Sequence, residues 1–349
     1  MEEKISQIFH NCKMDCILFT NAKEIFYLTG AKFDGFWILF VKDKIYTICS
    51  KMIENQIKEF FCNQNIHICI GTSFTKTVAK TLKFNGIENL LIDPKYMNAK
   101  DFISMSEELN NEGIKITKKI GILDQIRLVK NQNEIGNIKK ACQIASEVCN
   151  IIKHELREGL SELDIHYRIM ELFAKNHVTE SFDPIVASGK NSANPHHKSS
   201  IKKIAANDMV MIDLGCIYNG YCSDLTRTYF LGRIGTECRE VWDVVKSAQD
   251  FVLKGIKAGL PVSWVDKAAV GVIEKAGYRD GFIHTTGHGV GIEIHEMPSL
   301  TSEAEGVLLA GMAVTVEPGI YIKQKFGVRI EDTILIKEND SEVLTFAAY

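Results

Sequence analysis

The residues of this chain that are best suited to chemistry are carboxylates inside apolar, strand-like runs. Asp213 and Asp224 lie on either side of Asn219-Gly220, the strongest short-range signal for a two-residue β-hairpin turn. An ionised carboxylate without a partner loses its solvation when it is buried in an apolar sheet. Each aspartate therefore needs a compensating group. For Asp213 the alternatives are a bound cation, a strand-end cap, or an ordinary ion pair with Arg227.

The predicted turn also determines which residues of the hairpin face each other. With a two-residue loop, Asp213 faces Thr226 and Asp224 faces Gly215. Side chains alternate along a strand, so both aspartates then lie on one face as diagonal neighbours, with Cα atoms roughly 7–8 Å apart. This spacing lets two short carboxylates share one metal cluster. An odd change in loop length would place them on opposite faces.

Histidines are concentrated in two short stretches that come before and after this hairpin. Five of the ten lie there: His196, His197, His284, His288 and His295. The last three stand among glycines, which favours a backbone held open for ligands or substrate.

Two later β-type runs carry Glu317 and Glu331. Strand alternation puts Arg329 on the same face as Glu331, so an internal ion pair between them is one interpretation. The other is that the four carboxylates converge, in which case they would repel one another strongly. Two divalent cations would then balance their four charges, with neutral His288 as a nitrogen ligand. A set without sulfur favours Mn, Fe, Co or Zn in an oxygen-rich site over a structural zinc.

The elements before residue 120 predict a compact α/β domain. Apolar β-type runs alternate with two amphipathic stretches, residues 53–61 and 75–84. The β-type runs are residues 16–20, 36–41, 45–49, 66–70 and 90–92. No phosphate loop, nucleophile elbow or metal-ligand cluster appears there. The pattern changes within residues 121–133, so we expect an N-terminal domain over residues 1–122 and a catalytic domain over 123–349.

The second domain reads as two related α+β halves. In the first, a long amphipathic helix from Glu134 stops at Gly159, and Ser161 opens a second helix with Asp164 three residues on. A similar unit returns about 100 residues later, where a helix over residues 239–258 stops at Gly259 and Ser263 opens the next helix with Asp266. Strand-like sequence follows each helix pair. An ancient duplication is our hypothesis for this pattern.

Composition excludes several other classes of function. The 349 residues are 46% hydrophobic and carry a formal net charge of −3, which predicts no general attraction for nucleic acid or for an anionic membrane. No apolar run approaches the roughly 20 residues of a membrane helix, and the first residues lack the pattern of a secretory signal. We therefore expect a cytoplasmic protein. The ten scattered cysteines, with no C-x-x-C pair, are expected to be mostly small buried hydrophobes.

The ordered acidic and histidine residues resemble a known signature. The series Asp213, Asp224, His288, Glu317 and Glu331 is similar to the metal ligands of the pita-bread metallopeptidases. The resemblance spans essentially the whole chain, because an N-terminal α/β domain of this size is similar to that of Xaa-Pro dipeptidases (prolidases), aminopeptidase P and creatinase. It implies an α+β fold, in which a smaller N-terminal domain precedes a pita-bread domain of two pseudo-symmetric α/β halves.

The resemblance also implies roles for single residues. Asp224 and Glu331 would bridge two divalent cations, Asp213 would bind one, and His288 with Glu317 the other. Manganese is the first choice of metal, with cobalt, iron or zinc as alternatives. A water molecule readied by the cations would attack the peptide carbonyl.

Further roles follow for groups around the metals. His196 resembles the histidine that stabilises the oxyanion or transfers a proton, and His295 the one that meets substrate near the scissile bond. His284 and Arg329 match groups that position substrate, Glu317 would also shuttle protons, and His197 is left as structural.

The activity implied is cleavage of an Xaa-Pro bond at the N-terminus of a peptide or in a dipeptide, by a homodimer. Dipeptidase and aminopeptidase P activity stay open as alternatives. Methionine aminopeptidase or creatinase-like hydrolysis is a further alternative, as is an inactive binding module on the same fold.

Overall fold

The computed structural model describes residues 2–12 and 14–349. The chain divides into two compact units, the first ending at Ile126 and the second spanning Arg127–Tyr349. Across the two described stretches, no helix has both the length and the apolar character that crossing a membrane requires. All ten cysteines are free thiols, and six of them are buried.

A six-stranded sheet forms the centre of the first unit. Its strands are β1 (Cys16–Phe19), β2 (Phe36–Val41), β3 (Lys44–Cys49), β4 (Ile66–Ile70), β5 (Asn89–Ile92) and β6 (Lys115–Lys118). They lie in the order β4-β3-β2-β1-β5-β6, with β1, β2 and β3 antiparallel and the outer pairs parallel. The five predicted β-type runs are confirmed as strands. The sixth strand was not predicted, because a four-residue run with lysine at both ends offers little apolar signal.

Five helices accompany this sheet. They are α1 (Glu2–Cys12), α2 (Ala22–Thr29), α3 (Glu54–Phe60), α4 (Phe74–Phe84) and α5 (Ala99–Asn111), and a short α6 (Asp124–Arg127) follows them. Asn21, Ser73 and Asn98 cap the starts of α2, α4 and α5 by accepting backbone N–H bonds. Leucines of α4 and α5 pack on the buried faces of β1, β2 and β5 in one apolar core.

The first half of the second unit runs from the helix pair to a three-stranded sheet. Its elements are α7 (Gln132–Glu155), α8 (Glu162–Lys175), β7 (Thr179–Glu180), β8 (Ile185–Ser188), β9 (Met209–Leu214), β10 (Cys216–Tyr218), β11 (Tyr221–Cys222) and β12 (Leu225–Phe230). The main sheet has the antiparallel order β12-β9-β8. Val148 and Ile169, from the two helices, pack against Val210 and Ile212 of β9 in one core.

The second half repeats this order. Its elements are α9 (Thr236–Gly255), α10 (Ser263–Lys275), β13 (His288–Gly289), β14 (Glu296–Ser299), β15 (Ala313–Val316), β16 (Gly319–Ile322), β17 (Phe326–Arg329), β18 (Asp332–Ile336) and β19 (Ser341–Val343). The sheet has the order β14-β13-β15-β18-β19, and β16 and β17 form a separate two-stranded sheet. The adjacent strands β13, β15 and β18 thus correspond to β8, β9 and β12. These are the two pseudo-symmetric halves of the α+β pita-bread fold.

Matching hydrogen bonds extend the correspondence to the turns after the long helices. Gly159 N–H donates to the carbonyl of Ile204 at 2.9 Å, and Gly259 N–H donates to that of Leu308 at the same distance. Both glycines have positive φ, at 87° and 84°, which glycine adopts readily. The predicted similarity of the two units, each with a glycine after its long helix, is therefore present in the fold.

Two details of the predicted helices are wrong. Helices α7 and α9 end at Glu155 and Gly255, before the predicted stops, because Leu156 and Ile256 adopt extended backbone. Ser161 and Asp164 form the predicted capping box on α8. Ser263 forms none: it is the first helical residue of α10, and Asp266 accepts hydrogen bonds from Thr286 instead.

The hairpin register is confirmed. Tyr218 pairs with Tyr221, and Asp213 pairs with Thr226. Asn219 and Gly220 have φ of 49° and 85°, as a two-residue turn of the primed type requires.

Candidate metal centre

Each half of the second unit contributes two of the predicted carboxylates, from the ends of paired strands. Asp213 lies near the end of β9, and Asp224 comes directly before β12. In the second half, Glu317 follows β15 and Glu331 comes directly before β18. The strand that begins after Asp224 and the strand that begins after Glu331 therefore hold these two acidic groups in similar positions.

Three predicted ligands form the centre of the site. Asp224, His288 and Glu331 each offer one ligand atom, and these atoms all lie within 4.8 Å of one another. His288 Nε2 is 3.5 Å from Asp224 Oδ2 and 3.3 Å from Glu317 Oε1. The imidazole therefore stands between carboxylates of the two halves.

Asp213 joins the group through an arginine and a threonine. Arg329 donates from Nη2 to Asp213 Oδ2 and from Nε to Thr226 Oγ1 at 3.1 Å. Thr226 Oγ1 in turn donates to Glu331 Oε2 at 2.6 Å. The other oxygens, Asp213 Oδ1 and Glu331 Oε1, are buried and have no hydrogen-bond partner among residues 2–12 and 14–349.

The observed ion pairs differ from two that the sequence suggested, namely Asp213 with Arg227 and Glu331 with Arg329. Asp213 pairs with Arg329 and not with Arg227, whose guanidinium bonds to Asp332 at 2.7 Å. Arg329 accordingly pairs with Asp213 instead of Glu331. Because β17 ends at Arg329, Glu331 belongs to the connection before β18 and is not on the same strand.

Burial and mutual repulsion disfavour the charged forms of three carboxyls. Burial raises the pKa of Asp224 well above its usual value, and the charges of Asp213 and Glu317 raise it further. Burial and then the charge of Asp224 raise the pKa of Glu331 in the same way. Burial also raises the pKa of Glu317. Without cations, this cluster would therefore resist full ionisation.

The histidines around the carboxylates favour the neutral form. Burial lowers the pKa of His284, His288 and His295. A neutral imidazole has the lone pair that a metal ligand or a proton acceptor needs. The rings of His288 and His295 lie 4.3 Å apart, centroid to centroid.

His196 approaches the site from the first half. It is exposed, and it follows Pro195, whose carbonyl accepts a hydrogen bond from Arg329 Nη1 at 3.4 Å. Its charge is among the influences that lower the pKa of His284 and His295, so it lies within electrostatic reach of both. All the predicted site residues thus belong to one region of the second unit.

Divalent cations fit this arrangement. Two buried carboxylate oxygens lack partners, although a buried polar atom is costly to leave unpaired. The donors are carboxylate oxygens and an imidazole nitrogen, which suits Mn, Fe, Co or Zn. His288 Nδ1 bonds to the carbonyl of Gly289 at 3.1 Å, leaving Nε2 towards Asp224 and Glu317.

Sequence reasoning missed the side chains that orient these groups. Tyr321 hydroxyl lies 2.7 Å from Arg329 Nη1 and 3.0 Å from His284 Nε2. Thr315 donates to Glu317 Oε1 at 3.1 Å and accepts from His288 N–H at 3.0 Å. The one available signal was strand alternation, which puts Thr315 and Glu317 on the same face of β15 as it ends.

Comparison with family models decides the classification. Residues 136–338 match the model for metallopeptidase family M24, and residues 3–129 match the creatinase/prolidase N-terminal domain. The chain belongs to metallopeptidase family M24. As a member, it is a hydrolytic enzyme that uses divalent metal ions, and it has the two-domain fold with a C-terminal pita-bread domain.

Named relatives of this M24 chain cover most of its length. An Xaa-Pro dipeptidase from Pyrococcus furiosus is 40% identical over 273 residues, which cover 77% of this chain and 78% of the relative. The solved structure of an Xaa-Pro dipeptidase from Bacillus anthracis has a TM-score of 0.94 at 34% identity, covering 99% of this chain and 98% of that one. The solved X-Pro aminopeptidase from Thermotoga maritima has a TM-score of 0.89 at 30% identity, covering 98% of both chains.

Proposed function

We propose that this M24 enzyme is a two-metal exopeptidase that hydrolyses the Xaa-Pro bond at the N-terminus of a peptide or in an Xaa-Pro dipeptide. The observation that carries the proposal is the convergence of Asp224, Glu331 and His288 within 4.8 Å, beside two buried carboxylate oxygens without hydrogen-bond partners. The similarity to enzymes named Xaa-Pro dipeptidase and X-Pro aminopeptidase suggests the substrate class.

The proposed ligands come from both halves of the second unit. They are Asp213, Asp224, His288, Glu317 and Glu331, of which Asp224 and Glu331 would be shared by the two cations. Manganese is the proposed metal, with cobalt, iron or zinc as alternatives. When bound, two such cations lower the pKa of water and stabilise negative charge on the oxygen of the attacked carbonyl.

The remaining groups of this chain act on the substrate. Glu317 would also accept a proton and pass it to the leaving amine. His196 and His295 are proposed to donate hydrogen bonds to the oxyanion and the scissile bond. His284 and Arg329, joined through the Tyr321 hydroxyl, hold the substrate-facing side of the site in one arrangement.

The chemistry of an Xaa-Pro bond would account for the several hydrogen-bond donors and proton carriers around the proposed metal site. The proline nitrogen is a tertiary amide without an N–H, so recognition of an extended backbone loses one donor there. Its nitrogen also needs a supplied proton to leave. A pocket with several histidines answers both requirements.

Side-by-side hydrolysis of Ala-Pro, Ala-Pro-Ala and Met-Ala-Ala with Mn²⁺ tests the proposal. We expect cleavage of the first two and not of the third. Preference for Ala-Pro identifies a dipeptidase, and preference for Ala-Pro-Ala identifies an aminopeptidase P. Cleavage of Met-Ala-Ala alone would replace the proposal with methionine aminopeptidase activity. Near-normal turnover in the Asp224→Asn variant would contradict the proposed role of Asp224 as a shared metal ligand.

If no peptide is cleaved, creatine hydrolysis and metal binding distinguish two explanations. Creatine hydrolysis without added metal would favour a creatinase-like enzyme, whereas no bound or activating metal and no turnover would favour a binding module. We also propose a homodimer, on the family resemblance. Light scattering coupled to size-exclusion chromatography checks this, and a monomer mass would contradict it.

A further inference from the structure

His196 lies on a segment that is not itself part of a strand. The segment starts where β8 ends at Ser188, forms one 3₁₀ turn over Gly189–Ala193, and reaches Ser200 without joining a sheet. The backbone N–H of His196 bonds only locally, to Asn194 Oδ1 at 3.2 Å. The position of this exposed histidine therefore depends on whatever fastens the rest of the segment.

One buried carboxylate contacts both ends of this segment. Glu162 is the first residue of α8, and its side chain has 0% exposure. Its Oε1 accepts from Ser188 N–H at 2.8 Å, from Ser188 Oγ at 2.9 Å and from Asn191 Nδ2 at 2.9 Å. These bonds fasten the start of the segment and its 3₁₀ turn to the helix.

The second oxygen fastens the far end. Glu162 Oε2 lies 2.8 Å from His197 Nε2 and accepts from Ser200 Oγ at 2.7 Å and from Ser200 N–H at 3.1 Å. His197 is the direct neighbour of His196. Glu162 therefore fixes the residues on both sides of His196 without touching it.

The carboxylate is held in its charged form. Burial on its own raises the pKa of Glu162, but hydrogen bonds from Ser200, His197, Ser188 and Asn191 lower the pKa to about 2. The helix start adds to this, since a negative charge is favourable at the N-terminus of a helix. A charged acceptor makes stronger hydrogen bonds than a neutral one.

The opposite side of the segment contacts the strand that leads into the metal centre. Ser192 Oγ accepts from Gly327 N–H at 2.9 Å, and the Pro195 carbonyl accepts from Arg329 Nη1 at 3.4 Å. The segment thus lies between Glu162 and the β17 strand, and His196 is at its exposed edge.

We propose that Glu162 is a positioning residue that holds His196 at the site by fastening the segment from Ser188 to Ser200. His197 transmits this restraint as the neighbour of His196, which gives it a function beyond packing. The inference rests on the proposed function, because it takes His196 to act in Xaa-Pro hydrolysis. It predicts that the loss of Glu162 acts on turnover through His196.

The first test compares Glu162→Gln with Asp164→Asn, using Ala-Pro and Ala-Pro-Ala with Mn²⁺. Both changes remove one charge from the first turn of α8, but Asp164 contacts Ser161 and Lys203 instead of the segment. We expect Glu162→Gln to lower kcat by about 10²-fold, with KM changed less than about three-fold. Asp164→Asn should keep the wild-type kcat.

A double-mutant cycle separates positioning from general destabilisation. If Glu162 acts through His196, adding Glu162→Gln to His196→Ala costs no further turnover. A cost that simply multiplies the two single losses would overturn the proposal. An unchanged kcat in Glu162→Gln alone would overturn it as well.

A second pair of variants covers the case in which Glu162→Gln does not fold. His197→Ala removes one donor to Glu162, and His197→Gln restores an N–H donor. We expect a kcat loss in the first and partial recovery in the second. Equal activity of both variants with wild type would contradict a role for His197.

Amide hydrogen exchange, measured on the full chain, tests the anchoring role of Glu162 independently of catalytic activity. Glu162→Gln should raise amide exchange in peptides covering residues 188–200, and Asp164→Asn should not. If the wild-type enzyme cleaves no Xaa-Pro substrate, the proposed function fails, but exchange still decides whether Glu162 holds the segment. Unchanged exchange in Glu162→Gln would overturn the anchoring role.

Discussion

In the first half of the second unit His196 lies on a segment outside the sheet, whereas in the second half His288 is itself part of strand β13. Strand pairing holds the second-half histidine, because His288 pairs with Ser299 of β14 and the adjacent Gly289 pairs with Val314 of β15. His288 N–H donates to Thr315 Oγ1 at 3.0 Å, and Val290 N–H donates to the Ala313 carbonyl at 3.0 Å. A side-chain carboxylate, Glu162, does the corresponding work in the first half.

Close backbone contact in the second half needs small residues. A Cβ added at Gly287 would lie 2.2 Å from the Thr315 carbonyl oxygen, and one at Gly289 would lie 2.2 Å from that of Met297. The glycines around His288 therefore serve packing against neighbouring strands. One fold thus uses two ways to fix a histidine: pairing within a sheet for the proposed metal ligand, and a buried charge for the exposed histidine.

The largest expected effect tests a feature that the two halves share, which is a carboxylate directly before β12 in the first half and directly before β18 in the second. Asp224→Asn and Glu331→Gln should each lower Mn²⁺-dependent kcat/KM by about 10³-fold or more, on the order of 4 kcal/mol of transition-state stabilisation. Glu305→Gln, at an exposed acidic position, is the control and should leave kcat/KM unchanged. Near-normal activity in either variant would mean that only one half supplies a shared ligand.

The next largest effect concerns the different roles of His196 and His288. His196→Ala should lower kcat by about 10²–10⁴-fold while the protein keeps its bound metal, because a proton-transfer group acts in the reaction and not in metal binding. His288→Ala should lower the metal content itself. Metal analysis of both purified variants with steady-state kinetics checks this, and metal loss in His196→Ala would contradict the assignment.

A smaller effect is expected from the carboxylate on the first turn of α10. Within residues 2–12 and 14–349, Asp266 Oδ1 accepts hydrogen bonds only from Thr286, from N–H at 3.1 Å and from Oγ1 at 2.8 Å, and sheet bonds also hold the nearby His288. Asp266→Asn should therefore lower the free energy of unfolding by about 1–3 kcal/mol and change kcat by less than about five-fold. If its kcat loss matches that of Glu162→Gln, the two halves do not differ in the way described.

The smallest effect concerns pH. The pKa of Glu162 is about 2 in the folded protein against a usual 4.5, so its charged form stabilises the fold above pH 4.5. That contribution is lost as pH falls towards 2. Urea unfolding at pH 6, 4 and 3 should show a stability difference between wild type and Glu162→Gln that shrinks on acidification. A constant difference would contradict a charged Glu162.

Local sequence signals were sufficient for part of this arrangement. Asn219-Gly220 predicted the turn, and the turn fixed the register that puts Asp213 opposite Thr226. Ser161 and Asp164 predicted the start of α8 in the same local way. The five-residue metal signature was proposed from its order and its resemblance, and its role in binding stays a prediction.

Contacts between distant segments could not be predicted in this way. Nothing near Asp213 in the sequence indicates that Arg329, 116 residues later, is its partner. Tyr321 reads as an ordinary strand residue, and Glu162 reads as an ordinary acid at a helix start. Ser263 has the sequence of a cap, but Asp266 bonds to Thr286 across the fold, so tertiary contacts override the local pattern.

Anomalous diffraction from crystals of the Mn²⁺-loaded enzyme tests the central claim most directly. The account predicts two manganese peaks, about 3.5–4 Å apart, in contact with Asp224 and Glu331 from the two halves. A single peak, or peaks bound away from these two carboxylates, would contradict it.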